Sequence, residues 1–151
     1  RMGVHHALVE VGGELRGQGL APGGQPWWVD LESPPVLHGV RALPTTRVAL
    51  HGLSVATSGD YRRAFTHDSA HWPHTIDPRN GRPVAHGLTS VSVLHESCMW
   101  ADAWSTALTV LGRDAGQALA VEHGIAALFV QRERDGSLSE SLTPAMEAMA
   151  A

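Results

Sequence analysis

One continuous stretch, residues 88–111, constrains the fold more than any other. Its first part alternates, with Thr89, Val91 and Val93 set against Ser90, Ser92 and Leu94, the period of two that marks a β-strand. Just beyond it, Ser97 can cap a helix that runs from Cys98 to about Leu111, and Gly112 closes it. The 151 residues suffice for one domain with a genuine core.

The flanking sequence fills in that plan. Ala7 to Val11, Gly12-Gly13 and Glu14 to Gly17 read as a hairpin. Pro22-Gly23-Gly24 is a second reversal, and residues 27–32 form a third strand that Ser33-Pro34-Pro35 ends. Residues 36–43 and 47–51 read as two further strands joined at Pro44. A second helix is expected over 114–123 with Gly124 as its stop, then a strand over 125–131, a turn at Asp135-Gly136 and a returning strand over 137–141. The tail from Pro144 is short and suited to a helix. Strands dominate the first half and a helix pair lies between strands in the second. The expected fold class is therefore α+β, with a mixed or antiparallel sheet, as a single domain over 1–151.

Composition excludes several function classes. The net charge of −4 does not suggest nucleic-acid binding by a basic surface. Every basic residue other than histidine is arginine, so a phosphate loop that needs its lysine and a Schiff-base enzyme that needs an amine are both excluded. No apolar run reaches the roughly 20 residues of a membrane span. Arg1-Met2-Gly3-Val4 lacks the layout of a signal peptide, and Cys98, the only cysteine, has no partner for an internal disulfide. Ten histidines are the natural candidates for proton transfer or metal binding.

Three segments carry chemistry. Residues 74–81, His-Thr-Ile-Asp-Pro-Arg-Asn-Gly, read as a short strand carried into a tight turn, which mounts His74 and Asp77 on a stiff backbone; a hairpin with a capping Asp is the plain alternative. Residues 53–61 run from an apolar strand into Thr57, Ser58 and Gly59, whose hydroxyls and N–H groups suit a phosphate or a flavin edge, or simply the exit of a strand into a turn. On the helix from Cys98, Asp102 and Thr106 stand on one face among Ala101, Ala103 and Ala107. A carboxylate and a hydroxyl are hard donors that fit Mg²⁺ better than zinc, and a polar stripe with Thr106 bonded back to the Asp102 carbonyl fits the same spacing. The spacing of His67, His71 and His74 would align them on a helix as in a metal site, but Trp72-Pro73 breaks such a helix.

Taken together, Ala7 to Glu14 with its Val-Gly-Gly-Glu ending, Ala56-Thr57-Ser58-Gly59-Asp60-Tyr61, residues 74–81 and residues 97–108 resemble the ApbE family of FAD:protein FMN transferases, over nearly the whole chain. The resemblance implies the C-terminal half of a T-fold-like, ApbE-like flavin transferase whose N-terminal half is absent. It implies Mg²⁺ held by Asp102 and Thr106, His74 as general base, and a flavin cleft lined by Gly12, Gly13, Glu14, Thr57, Ser58 and Gly59, with Asp77 stiffening the loop beside it. It also implies transfer of FMN from FAD to a threonine of an acceptor protein, the flavoprotein subunit of a redox complex, with release of AMP. Mg²⁺-dependent FAD hydrolysis, a flavin carrier and an inert half-domain are the alternatives. A periplasmic, membrane-anchored setting and a homodimer follow from the family alone. Asn80 stands where the family usually has threonine, and Trp104 replaces a smaller residue and is expected to narrow the pocket.

Overall fold

In the first hairpin, Gly12 and Gly13 take φ of 71° and 111°, which other residues adopt only under strain, and so reverse the chain between β1 (Ala7–Val11) and β2 (Glu14–Gln18). The computed structural model describes residues 3–36, 40–61, 64–67 and 70–149. The next two strands, β3 (Trp27–Asp30) and β4 (Arg47–Leu50), pair with each other in a separate ribbon. Then follow β5 (Ser54–Gly59), a hairpin of β6 (Ala64–His67) with β7 (Ala70–Pro73), and a two-residue ladder of β8 (Ile76–Asp77) with β9 (Arg82–Pro83). The second half runs β10 (Leu88–His95), α1 (Cys98–Leu111), α2 (Arg113–Glu122), β11 (Ala126–Arg132), β12 (Leu138–Leu142) and α3 (Pro144–Glu147).

The main sheet has the order β1-β2-β5-β10-β11-β12, and every pairing in it is antiparallel. The α+β expectation holds, and of its two sheet types the antiparallel one is found. A cluster around Val91, Val93, Leu108, Ala127 and Phe129 fills the face on which α1 and α2 lie. A second cluster, with Leu50, Val55, Leu94, Leu128 and Met146, fills the face covered by the β3–β4 ribbon and α3. β10 is therefore buried on both faces, and its serines lie inside the protein rather than facing water as simple alternation suggests. Ser92 is satisfied there by Thr57, their hydroxyl oxygens 2.7 Å apart. The ribbon approaches closely because residue 17 is glycine; a Cβ there would lie 2.5 Å from the Leu50 Cβ.

Two local expectations change, and the expected break in a helix over His67, His71 and His74 is found. The strand read over 36–43 lies partly outside the described residues, and residues 40–43 are irregular. Ser97 occupies the N-cap of α1 with extended backbone, but its side chain makes no cap bond; its N–H instead donates to His95 Nδ1 at 2.9 Å. Residues 64–73 form a hairpin, so the helical premise of a His67, His71, His74 face is gone; the His67 and His71 side chains lie outside the described residues. Among the described residues no helix is long and apolar enough to cross a membrane.

Candidate functional site

The register of β5 makes the opening. Toward β10 its ladder is continuous, from His95↔Ser54 to Ser90↔Gly59. Toward β2 it stops after Arg16↔Ser54 and Leu15↔Val55. Thr57, Ser58 and Gly59 thus lie within the strand, not beyond it, with one edge paired and the other facing the Gly12-Gly13 turn. A cleft of about 550 Å³ occupies that gap. Gly12, Gly13, Glu14, Thr57, Ser58, Gly59, His74 and Asp102 all line it.

α1 supplies the floor of one side. Its buried stripe is Ala101, Ser105, Leu108 and Thr109, the spacing of a helix packed along one face. Asp102 and Thr106 each follow a buried residue, so they stand exposed at the margin of that stripe, one turn apart. Thr106 is not itself part of the cleft lining, but its Oγ1 is 3.0 Å from the Oγ of Ser58, which is. The back-bond expected from Thr106 to the Asp102 carbonyl is made instead by Ser105, whose Oγ donates to that carbonyl at 2.9 Å.

His74 is exposed at the cleft, just before the 78–81 turn. Asp77 does not line the cleft; it is buried in the turn. Its Oδ1 accepts from the Arg79 backbone N–H at 2.9 Å and from Arg79 Nε at 2.8 Å, and its Oδ2 from Arg79 Nη2 at 2.8 Å and Asn80 Nδ2 at 3.2 Å. The Arg79 guanidinium, helped by the Arg79 N–H, holds the Asp77 carboxyl below the usual carboxylate range. Asn80 Oδ1 accepts from Arg82 N at 2.8 Å, and Gly81 closes the turn at φ 69°. The Val84 N–H donates to the Thr75 carbonyl at 3.1 Å, which anchors the segment carrying His74 at its far side.

The charged lining is otherwise acidic. Glu10, Glu14, Asp30, Glu32 and Asp102 face the cleft, and of these the family resemblance marks only Glu14 and Asp102. Asp30 is held in a two-pronged ion pair by Arg47, at 2.5 and 2.9 Å, which lowers its carboxyl. Asp30 and Glu32 enter through the ribbon, a long-range packing event that no local pattern announces. Half-buried Cys98 sits near this cluster; burial first, then the fields of Glu14 and Asp102, push its thiol up. Trp104 does not narrow the pocket. Its ring lies 5.3 Å from the His123 ring and packs against the helix-side core.

The ApbE family model matches residues 1–129. The chain belongs to the ApbE family. It is 38% identical over 135 residues to the FAD:protein FMN transferase of Vibrio cholerae, covering 89% of this chain and 39% of that protein. It is 35% identical over 141 residues to the FAD:protein FMN transferase of Haemophilus influenzae, covering 93% and 40%. Among solved structures it resembles the apo form of the Pseudomonas stutzeri flavinyl transferase ApbE, with a TM-score of 0.83 and 42% identity over 98% of this chain and 44% of that one. The chain therefore spans about two fifths of the length of the curated relatives it matches.

Proposed function

We propose that this ApbE chain contributes the reacting half of a flavin transferase site: FMN is moved from FAD to a threonine hydroxyl of an acceptor protein, and AMP is released. The observation that carries the reading is that His74 and Asp102, from separate elements, line one cleft together with the Gly12-Gly13 turn and the open edge of β5. Asp102 and the Ser58-bound Thr106 offer hard oxygen donors at its margin.

The residues present fit a divalent cation completed by substrate. Among the described residues no three His, Cys, Asp or Glu side chains converge as a metal cage. Mg²⁺ characteristically takes one or two protein oxygens and fills the rest of its shell with water and phosphate. The acidic lining supplies the electrostatic need. A diphosphate entering the cleft would meet the carboxylates of Glu10, Glu14 and Asp102, whose like charge opposes its binding. Held by Asp102 and Thr106, Mg²⁺ would supply the positive charge that offsets this repulsion and steadies the leaving phosphate.

The protein's own groups do the rest. The turn at Gly12-Gly13 leaves backbone open to close approach, and the unpaired edge at residues 57–59 can hydrogen-bond the flavin. His74 takes the proton from the acceptor threonine as its oxygen bonds to the FMN phosphorus. The bond from that phosphorus to the AMP oxygen breaks, and AMP leaves with the electron pair.

The test is incubation with FAD, Mg²⁺ and acceptor protein, following AMP release and covalent flavin on the acceptor. His74→Ala is expected to bind FAD and to transfer about 10²–10⁴-fold more slowly. Transfer at the unaltered rate would remove His74 from the role. FMN and AMP formed equally well without acceptor would make water the nucleophile.

A further inference from the structure

The hydroxyls between β5 and α1 can be oriented by counting protons. Each serine or threonine hydroxyl has one proton to give and two lone pairs to receive. The Asp102 carbonyl can only accept, so the 2.9 Å bond from Ser105 Oγ spends the single Ser105 proton. Ser58 Oγ lies 2.9 Å from Ser105 Oγ, and with that proton spent Ser58 has to be the donor. Ser58 Oγ also lies 3.0 Å from Thr106 Oγ1, and with its own proton now spent Ser58 has to accept. The chain then runs one way, from Thr106 to Ser58 to Ser105 to the Asp102 carbonyl. Reversing its first link would ask Ser58 to donate twice.

From this we infer that Ser58 is a positioning residue for the Asp102–Thr106 pair. It draws the Thr106 proton inward, toward fully buried Ser105, and leaves both lone pairs of Thr106 Oγ1 available to a cation. A hydroxyl without such an acceptor is a rotor that spends part of its time presenting its proton to the cation, or bonds back to the carbonyl one turn earlier. The same chain fastens the Asp102–Thr106 turn of α1 to β5, so the two donors keep their spacing relative to the cleft wall. Thr109, one turn further on, is bonded to the Ser105 carbonyl at 2.8 Å and takes no part in the chain.

The consequence for cation binding rests on the assignment of Asp102 and Thr106 as ligands; the direction of the chain does not. Two measurements separate them. Neutron diffraction from deuterated crystals of the protein should show the Thr106 deuteron toward Ser58, that of Ser58 toward Ser105, and that of Ser105 toward the Asp102 carbonyl. A Ser58 deuteron on the Thr106 side overturns the inference whether or not a cation binds. Titration with Mn²⁺ as the spin probe reads affinity without turnover. Ser58→Ala is expected to weaken Mn²⁺ binding by about 10–100-fold, the usual cost of losing a group that orients a ligand. Ser105→Ala, which never touches the cleft, should weaken it in the same direction because it frees the Ser58 proton to turn on Thr106. Ser58→Thr should restore binding, and Thr109→Val, an equally buried loss of a hydroxyl, should leave it unchanged. Wild-type affinity in Ser105→Ala overturns the inference. Absence of Mn²⁺ binding in the unaltered protein strikes the ligand assignment instead, and the deuteron positions still decide the direction.

Discussion

The two edges of β5 are built for different ends. On the β10 side the ladder is unbroken and sits over a core in which Val91, Val93 and Phe129 are wholly buried. On the β2 side pairing is given up after Leu15↔Val55, and polar residues take over the wall of the gap. The difference teaches that the cleft is made by stopping a sheet rather than by carving one. Hydrogen bonds forgone along one edge are affordable because the other edge is anchored in the most densely buried part of the molecule.

Breaking the closed side should have the largest effect. Phe129→Ala removes a ring that packs beneath α2, against Gly116, and is expected to cost about 3–5 kcal/mol in chemical denaturation. A loss near 1 kcal/mol would mean that the closed side is less tightly packed than its burial implies.

On the open side, the bracing of the 78–81 turn by Asp77 gives a smaller effect with a pH signature. Because Arg79 lowers the folded pKa of Asp77, its contribution to stability is complete above the unfolded value of about 3.9 and fades as pH falls through the lower folded value. Asp77→Asn should therefore be less stable than the wild type near neutrality and converge with it in acid. Parallel stability curves across that range would show that the carboxylate does not brace the turn. The smallest effect belongs to Cys98. With its thiol pushed up by burial and by Glu14 and Asp102, alkylation at neutral pH should be slower than for a free thiol, and Glu14→Gln should speed it modestly. No change in Glu14→Gln would separate the cysteine from the acidic lining.

Sequence was most informative where one local rule governs. Alternation and the positive-φ glycines made β1, β2 and β10 readable, and Gly112 and Gly124 marked the helix ends to within a residue. Local rules failed where tertiary packing decides. The burial of Ser90 and Ser92 depends on what packs over that face of β10, whereas the short strand and turn at 76–81 were legible from Asp77-Pro78 and Asn80-Gly81. The site divides the same way. His74, Asp102 and the Gly-Gly turn could be picked by residue type and resemblance, whereas Asp30 and Glu32 arrive through a ribbon that pairs only with itself. Ser105 was missed because a serine inside a helix usually signals nothing. Its clue was its position three residues after Asp102 and directly before Thr106.

Ala101 and Ser105, both wholly buried, set how far α1 stands from the strands beneath it. Each sits immediately before one of the oxygen donors. The depth at which Asp102 and Thr106 stand is therefore fixed from below, by the two smallest side chains in the helix's footing. Enlarging either would lift the carboxylate and the hydroxyl together, like a drawbridge raised at its hinge. Anyone seeking to retune what this protein accepts should begin under the helix rather than at the rim.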